Sequence, residues 1–136
     1  MPNYNPTRMS RVVVLGALAV VLLAAGCAGQ SNYTADKTRA CLTGQDARIA
    51  PTRGDFIAST ATGGAFVAHL ADNSVTVAFG EQMNDAKDLQ IAYQRFAGNN
   101  VRSNITDVLS RYRNAVLLWH EHPADADLAL VTGCLT

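Results

Sequence analysis

The sequence lacks the short motifs that mark the common enzyme classes. It contains no Gly-x-Ser-x-Gly, His-Glu-x-x-His or Cys-x-x-Cys pattern, no phosphate-binding loop and no dinucleotide-binding fingerprint. Its carboxylates are scattered, and most of them stand where a helix cap or a turn would use them. These absences argue against catalysis by the familiar routes and against a bound cofactor, so we expect the protein to act by binding.

An excess of basic residues is also missing. The chain has 11 basic and 11 acidic side chains, and two of the basic ones, Arg8 and Arg11, precede the main part of the sequence. Residues 27–136 therefore carry nine basic and eleven acidic side chains, a net charge of −2 with histidine neutral. A chain of this charge has no overall field that attracts nucleic acid, and we expect no nucleic-acid partner.

One long stretch is apolar throughout, and it lies near the start. Residues 12–26 carry no charged side chain over 15 positions, and Arg8 and Arg11 precede them. As a helix this run would be about 22 Å long, short of the roughly 30 Å hydrocarbon core of a bilayer. A positive start, a short apolar run and small residues after it are typical of an export signal rather than a permanent span.

The end of this run resembles the lipobox of bacterial lipoproteins. Residues 24–27 read Ala-Ala-Gly-Cys, and in that family a cysteine after small residues is diacylated and becomes the N-terminus on cleavage. The family usually has leucine three residues before the cysteine, whereas here Ala24 stands there and Leu23 precedes it. The resemblance covers the leader alone and implies nothing about the domain that follows.

The resemblance implies how the chain is divided and where it is located. Residues 1–26 would be a signal peptide, Cys27 would carry acyl chains such as palmitate, and residues 27–33 would include the tether. The protein would then be held by its lipid at the extracytoplasmic face of the cell membrane, with inner and outer membrane both open. Ordinary secretion with cleavage nearby, and an uncleaved anchor lengthened by Ala28 and Gly29, are the alternatives.

The cysteine count fits this interpretation. If Cys27 carries lipid, as the resemblance implies, Cys41 and Cys134 remain as one pair, which an oxidising compartment would join. The disulfide would close a loop of about 94 residues and contribute roughly 4–5 kcal/mol in the chain-entropy model. It would also make the first and last helices neighbours. Two buried free thiols are the alternative.

Residues 34–136 have the size of one domain, and their pattern predicts an α+β fold. Two pairs of β-type segments each enclose a turn cluster. We expect a four-stranded, largely antiparallel sheet made of two hairpins and packed by three to four helices, with residues 45–54 as a loop. The predicted elements are a helix over about 35–43, a short helix over 55–61, strands over 65–71 and 75–80, a helix over 84–97, strands over 106–112 and 115–121, and a last helix from Pro123 to about Gly133.

Two of these segments carry the clearest patterns. Residues 115–119, Ala-Val-Leu-Leu-Trp, are apolar on both faces, which predicts a central strand covered on both sides. The helix over 84–97 shows the 3.6-residue period and should turn its apolar positions inward. These positions are Ala86, Leu89, Ala92, Tyr93 and Phe96.

Histidines near the end of the last strand form a weak metal-site candidate. His120 and His122 are two apart, so on a strand both would face one side and could reach one ion. A third ligand could come from His69, Asp72 or Asp125. The alternative is a polar strand end in which His122 caps the last helix, and this second interpretation predicts no metal.

Four arginines make a candidate anionic-partner face. Arg95, Arg102, Arg111 and Arg113 fall within 19 residues that contain one acid, Asp107. If the helix end and the hairpin tip converge, these side chains would offer a basic surface to phospholipid headgroups or to another anionic partner. The alternative is that each arginine is solvated on a loop.

Taken together, the sequence favours a lipid-anchored extracytoplasmic envelope protein that acts as a non-catalytic binding or interaction module. Its partner would be an envelope protein or a lipid, and the membrane itself is reached through the anchor. One alternative is a carrier of an apolar ligand in a pocket between sheet and helices. The other is a hydrolase or metal-dependent enzyme that uses His69, His120 or His122.

Overall fold

The computed structural model describes residues 31–136. Its elements in chain order are α1 Ala35–Gly44, β1 Arg48–Ala50, α2 Phe56–Ser59, β2 Ala65–His69, β3 Ser74–Phe79, α3 Met83–Phe96, α4 Asn99–Arg102, α5 Ile105–Val108, β4 Leu109–Tyr112, β5 Ala115–Trp119 and α6 Asp125–Gly133. The predicted signal peptide over 1–26 and the lipidation site Cys27 lie outside the described residues. None of the helices in the described part is both long and apolar enough to cross a membrane.

The described strands form one antiparallel sheet in the order β1-β2-β3-β5-β4. This confirms the α+β class and the two predicted hairpins, β2–β3 and β4–β5. The predicted number of four strands is wrong, because the described residues form five. The fifth, β1, lies in the stretch predicted to be a loop and pairs Ile49 with Ala68. It has three residues and stops at Pro51, so it is too short to show a strand period.

Helices cover both faces of the sheet. One face packs against α1 and α6 and carries the larger cluster of buried strand residues, namely Phe66, Ala68, Val75, Val77, Phe79, Ala115, Leu117 and Trp119. The other face packs against α2 and α3 through Ala78, Val116 and Leu109. Strand β5 lies between β3 and β4 and supplies buried residues to both clusters, which confirms the prediction of a central strand covered on both sides.

The predicted disulfide is present. Cys41 in α1 and Cys134 directly after α6 are bonded, and their Cα atoms are 5.5 Å apart. Nearby, the backbone N–H of Thr34 donates to the carbonyl of Thr136 at 2.7 Å. The end of the chain after α6 is therefore held against the first helix, as the cysteine count predicted.

Helix α3 follows β3 after a very tight connection. Gly80 is required there, because a Cβ atom at this position would come within 2.5 Å of the Gln82 carbonyl oxygen and 2.6 Å of the Asp85 Cβ. The Asp85 carboxylate then accepts hydrogen bonds from the Gln82 N–H at 2.9 Å and the Thr62 hydroxyl at 3.0 Å. These bonds satisfy a free N–H at the helix start, so α3 begins at Met83, one residue before the predicted position.

Helix α2 runs beside α3 in the opposite direction. Asp55 caps α2, since its Oδ1 accepts from the Ala58 N–H at 2.9 Å. Its Oδ2 accepts from the Tyr93 hydroxyl at 2.8 Å. Burial and the neighbouring Asp55 carboxylate raise the pKa of Tyr93, so this hydroxyl stays protonated and acts as a donor. Because Asp55 meets Tyr93 and Thr62 meets Asp85, residues 55–62 pass along α3 from its end toward its start.

The second hairpin is shorter than predicted. The segment predicted as a strand from residue 106 begins its pairing only at Leu109, opposite Leu118, and residues 105–108 form a short helix instead. Strand β5 ends at Trp119, so residues before Leu109 have almost no strand left to pair with. Local helical turns satisfy their backbone groups instead.

The hairpin turn holds the start of the domain. Arg113 adopts a positive φ of 54°, and the buried Asn114 next to it directs its amide inward. The Asn114 side chain accepts from the Tyr33 N–H at 2.8 Å and donates to the Tyr33 carbonyl at 2.9 Å and the Gly80 carbonyl at 2.8 Å. The Arg113 guanidinium lies 4.9 Å from the centre of the Tyr33 ring. The predicted tether is therefore fixed to the domain at residue 33.

Candidate functional site

His120 and His122 lie in a loop after β5 and do not share a strand face. The backbone N–H of His120 makes the last bond to β3, at the Ser74 carbonyl. After it, the Asn73 side chain donates to the Glu121 carbonyl at 3.1 Å and accepts from the Glu121 N–H at 3.2 Å. The Asn73 side chain, in the turn between β2 and β3, thus takes the place of a neighbouring strand as the hydrogen-bond partner. The chain after His120 bends away from β3. The strand predicted to reach residue 121 therefore ends at Trp119.

His122 pairs with a carboxylate that the sequence did not single out as a partner. Its Nδ1 lies 3.4 Å from Oδ1 of Asp107, which is in α5. His122 does not cap the last helix, since Ala124 occupies the N-cap of α6 and makes no side-chain cap bond. The imidazole and the carboxylate are 71% and 66% exposed. Water therefore reaches both members of the pair.

The His122–Asp107 pair borders an open groove of about 450 Å³. The ends of β3 and β5 form one side and the α4–α5 segment forms the other, and the lining mixes amides, hydroxyls and carboxylates with a few apolar side chains. Neither His120 nor His122 receives a hydrogen bond from a serine or threonine hydroxyl among the described residues, since the hydroxyl groups that donate there do so to backbone carbonyls or to Asp85. No group of three or more histidine, cysteine, aspartate or glutamate side chains within residues 31–136 could hold a metal ion.

The third histidine is separate from this groove. His69 ends β2 and is paired with Ser74 of β3, whose carbonyl accepts from the N–H of His120, directly after β5. Two strand spacings lie between the histidines, which is on the order of 10 Å. His69 borders a different shallow depression, together with Arg48 and Asp127. The three histidines of the enzyme alternative are thus not assembled into one site in the described structure.

The four candidate arginines fall into two pairs. Arg102 donates from Nη1 to the carbonyl oxygen of Arg95 at 3.3 Å, at the end of α3. Arg111 donates from Nε to Oε1 of Gln90 at 3.0 Å and from Nη1 to the Arg113 carbonyl at 3.4 Å, at the hairpin. The first pair is exposed near the end of the helix, whereas the guanidinium of Arg113 stacks on Tyr33.

Exposed hydrophobic side chains single out one helix layer. Within residues 31–136 the large hydrophobics that remain exposed are Phe56 at 81%, Met83 at 57% and Phe96 at 75%. All three belong to α2 and α3, and none belongs to α1 or α6 on the opposite face. The prediction that Phe96 faces the core is therefore wrong. Phe96 lies in the last turn of α3, after Tyr93, which is the last residue of the helix to be buried.

Phe56 and Phe96 lie at the same end of this layer. Phe56 directly follows Asp55, which is hydrogen-bonded to Tyr93 one turn before Phe96. Ala92, one turn before Phe96 on the same side of the helix, lines the gap between α2 and α3. We call the exposed side chains of Phe56 and Phe96 the phenylalanine surface. The sequence pattern did not predict this surface, because the helical period counts Phe96 among the inward-facing positions.

Comparison with known proteins found no family model, no curated protein and no solved structure that matches this chain. We therefore infer the function from the residues of this chain alone. In the described part, the groove offers an exposed histidine–carboxylate pair, and the α2–α3 layer offers two exposed aromatic rings at one end.

Proposed function

We propose that this protein is a lipid-anchored extracytoplasmic module of the bacterial cell envelope that acts by binding a partner. The observation that carries the proposal is the phenylalanine surface. Burying a side chain of this size removes about 1.5–3 kcal/mol of unfavourable hydration, so two exposed rings at one end of a layer favour a partner that covers them. Aromatic side chains are also enriched where proteins meet their partners.

The cysteines support the location. A disulfide between Cys41 and Cys134 persists in oxidising compartments and is rare where thiols are kept reduced. It also leaves Cys27 as the remaining cysteine of the three, directly after small residues and an apolar run. A cysteine without a disulfide partner in an exported chain calls for an explanation, and acylation of Cys27 provides one.

The groove supports binding better than it supports catalysis. Catalytic acids and bases work best in sites that exclude water and hold their donors rigidly, whereas His122 and Asp107 are both mostly exposed. No hydroxyl or thiol nucleophile is hydrogen-bonded to His122 among the described residues. The carrier alternative requires an enclosed apolar cavity, whereas this groove is open and its lining is a mixture of polar and apolar surface.

The anchor is tested by Cys27→Ser. Without the thiol no thioether to a diacylglyceryl group can form, so we expect the variant to lose its acyl mass and to be released from or misplaced in the membrane. Mass spectrometry of the membrane fraction makes the measurement, and Ser31→Ala in the tether is the control that keeps the lipid. A wild-type chain that still carries residues 1–26 and has no acyl mass would contradict the anchor.

The binding surface is tested by a photoreactive phenylalanine analogue placed at position 56 or 96 of the whole chain in bacterial cells. We expect irradiation to give a cross-linked product, with protein or with lipid, at both positions. Ala129 is exposed on α6, on the other side of the sheet, and serves as the control position. Equal yields at all three positions would show that the phenylalanine surface has no partner.

A further inference from the structure

We propose that the partner of the phenylalanine surface is an anionic phospholipid bilayer, the same one that holds the anchor. The inference rests on the proposed function and names its partner. It follows from three features of the structure: the charge around the two rings, the place where the tether leaves the domain, and the length of α3.

Three arginines lie at the same end of the α2–α3 layer as the two rings. Arg53 precedes Phe56 by three residues in an exposed turn, and Arg95 is next to Phe96. Arg102 is held at the same end by its hydrogen bond to the Arg95 carbonyl. Among the described residues none of these three arginines is in a salt bridge. The surface thus presents aromatic rings and guanidinium groups together.

This combination fits a membrane interface. Phenylalanine side chains on an interfacial surface insert about 5–10 Å into the boundary between the headgroups and the acyl chains of a bilayer. Arginines near an anionic leaflet are attracted to its phosphates and lipid charges. The anchor of the proposed function already holds the domain beside such a bilayer, whereas a protein partner would have to be recruited to it. The aromatic and basic side chains together with the anchor therefore favour the bilayer as the occupant.

The tether leaves the domain beside the start of α3. Tyr33 is fixed by Asn114, and the Asn32 side chain donates to the Glu81 carbonyl at 2.7 Å, two residues before the helix begins. The five residue steps from Cys27 to Asn32 span at most about 17 Å when extended. A bilayer that holds Cys27 is therefore within reach of the first turn of α3.

The length of α3 sets the distance from the tether to the phenylalanine surface. With 14 residues α3 is about 21 Å long. A tether of up to about 17 Å therefore lets the domain tilt until the rings at the far end of α3 meet the bilayer that holds Cys27. The anchor keeps the local lipid concentration high, so a surface too weak to bind free vesicles still stays in contact.

Brominated phospholipids test this arrangement, because bromine on the acyl chains quenches tryptophan only within the bilayer. The acylated protein would be extracted from membranes and reconstituted in vesicles of phosphatidylglycerol and phosphatidylcholine. Phe56→Trp and Phe96→Trp report the phenylalanine surface, and Ala129→Trp on α6 is the matched control. The natural Trp119 is 3% exposed and gives the same background in every variant. For the first two variants we expect the bilayer to quench about half of the added emission or more, and for Ala129→Trp none beyond background.

The same quenching experiment also tests the contribution of charge. Replacing phosphatidylglycerol by phosphatidylcholine, or changing Arg53, Arg95 and Arg102 together to glutamine, should remove most of the quenching. Quenching at positions 56 and 96 no greater than at 129 would overturn the inference, as would quenching that ignores both charge changes. A protein cross-link at 56 or 96 without quenching would overturn it while leaving the proposed function standing. An unacylated Cys27 is detected separately by mass, so failure of the anchor cannot be mistaken for failure of the surface.

Discussion

Leu117→Asp is expected to prevent the domain from folding. Leu117 is fully buried on β5, in the sheet face that packs against α1 and α6. Losing a buried leucine side chain costs about 2–5 kcal/mol, and burying an unpaired carboxylate costs several kcal/mol more. The sum is comparable to the roughly 5–15 kcal/mol that holds a typical domain together. Far-UV circular dichroism and urea unfolding would show the loss of structure.

Met83→Asp is the matched control for this prediction. It also replaces a large hydrophobic side chain by a carboxylate, but Met83 is 57% exposed in the first turn of α3. A negative charge at a helix N-terminus is favourable, so the stability should change by no more than about 0.5 kcal/mol. If Leu117→Asp melted within a degree of wild type, β5 would not be the centre of the sheet.

Strong local patterns explain why much of the fold could be predicted. The two hairpins have alternating or apolar segments around polar turns, and α3 has a clear 3.6-residue period. The run of apolar residues in 115–119 predicted burial on both faces, and the structure places this strand between two neighbours with helices above and below. In these segments the local preference and the tertiary packing agree.

The features that escaped prediction depend on contacts between distant residues. Strand β1 exists because three residues happen to lie along the edge of β2, and no period can appear in so short a segment. Strand β5 ends at Trp119 because the side chain of Asn73, which is 48 residues from Glu121 in the sequence, hydrogen-bonds to the backbone of Glu121. The pairing of His122 with Asp107 likewise follows from the path of α5, which the sequence placed in a strand.

The phenylalanine surface was hidden for a related reason. The helical period tells which side of a helix is apolar, but it does not tell where the sheet beneath that side ends. Phe96 continues the pattern of Leu89 and Tyr93, yet those two are buried at 5% and 1% while Phe96 is 75% exposed. A continued apolar pattern beyond the covered length marks a candidate interaction surface, and only the length of the neighbouring strands can reveal it.

The second large effect is expected from the disulfide. Cys41 and Cys134 are 93 residues apart in sequence, so the bond closes nearly the whole domain into one loop. In the chain-entropy model a loop of this size is worth about 4–5 kcal/mol, because the unfolded chain loses much of its freedom. The bond also ties the segment after α6 to α1, where the Thr34 N–H donates to the Thr136 carbonyl. Without it, that end of the chain is held by packing and a few hydrogen bonds alone.

Cys41→Ala combined with Cys134→Ala should therefore lower the melting temperature of the protein by about 15 °C or more. Wild-type protein kept in a thiol reductant should melt near the double variant, since both lack the same covalent link. The double variant should itself be insensitive to reductant, because Cys27 is occupied by lipid if the anchor is correct. A reductant that lowers the melting temperature of the wild type by less than about 2 °C would contradict the prediction. In that case the bond between Cys41 and Cys134, which are 93 residues apart, would not restrict the unfolded chain.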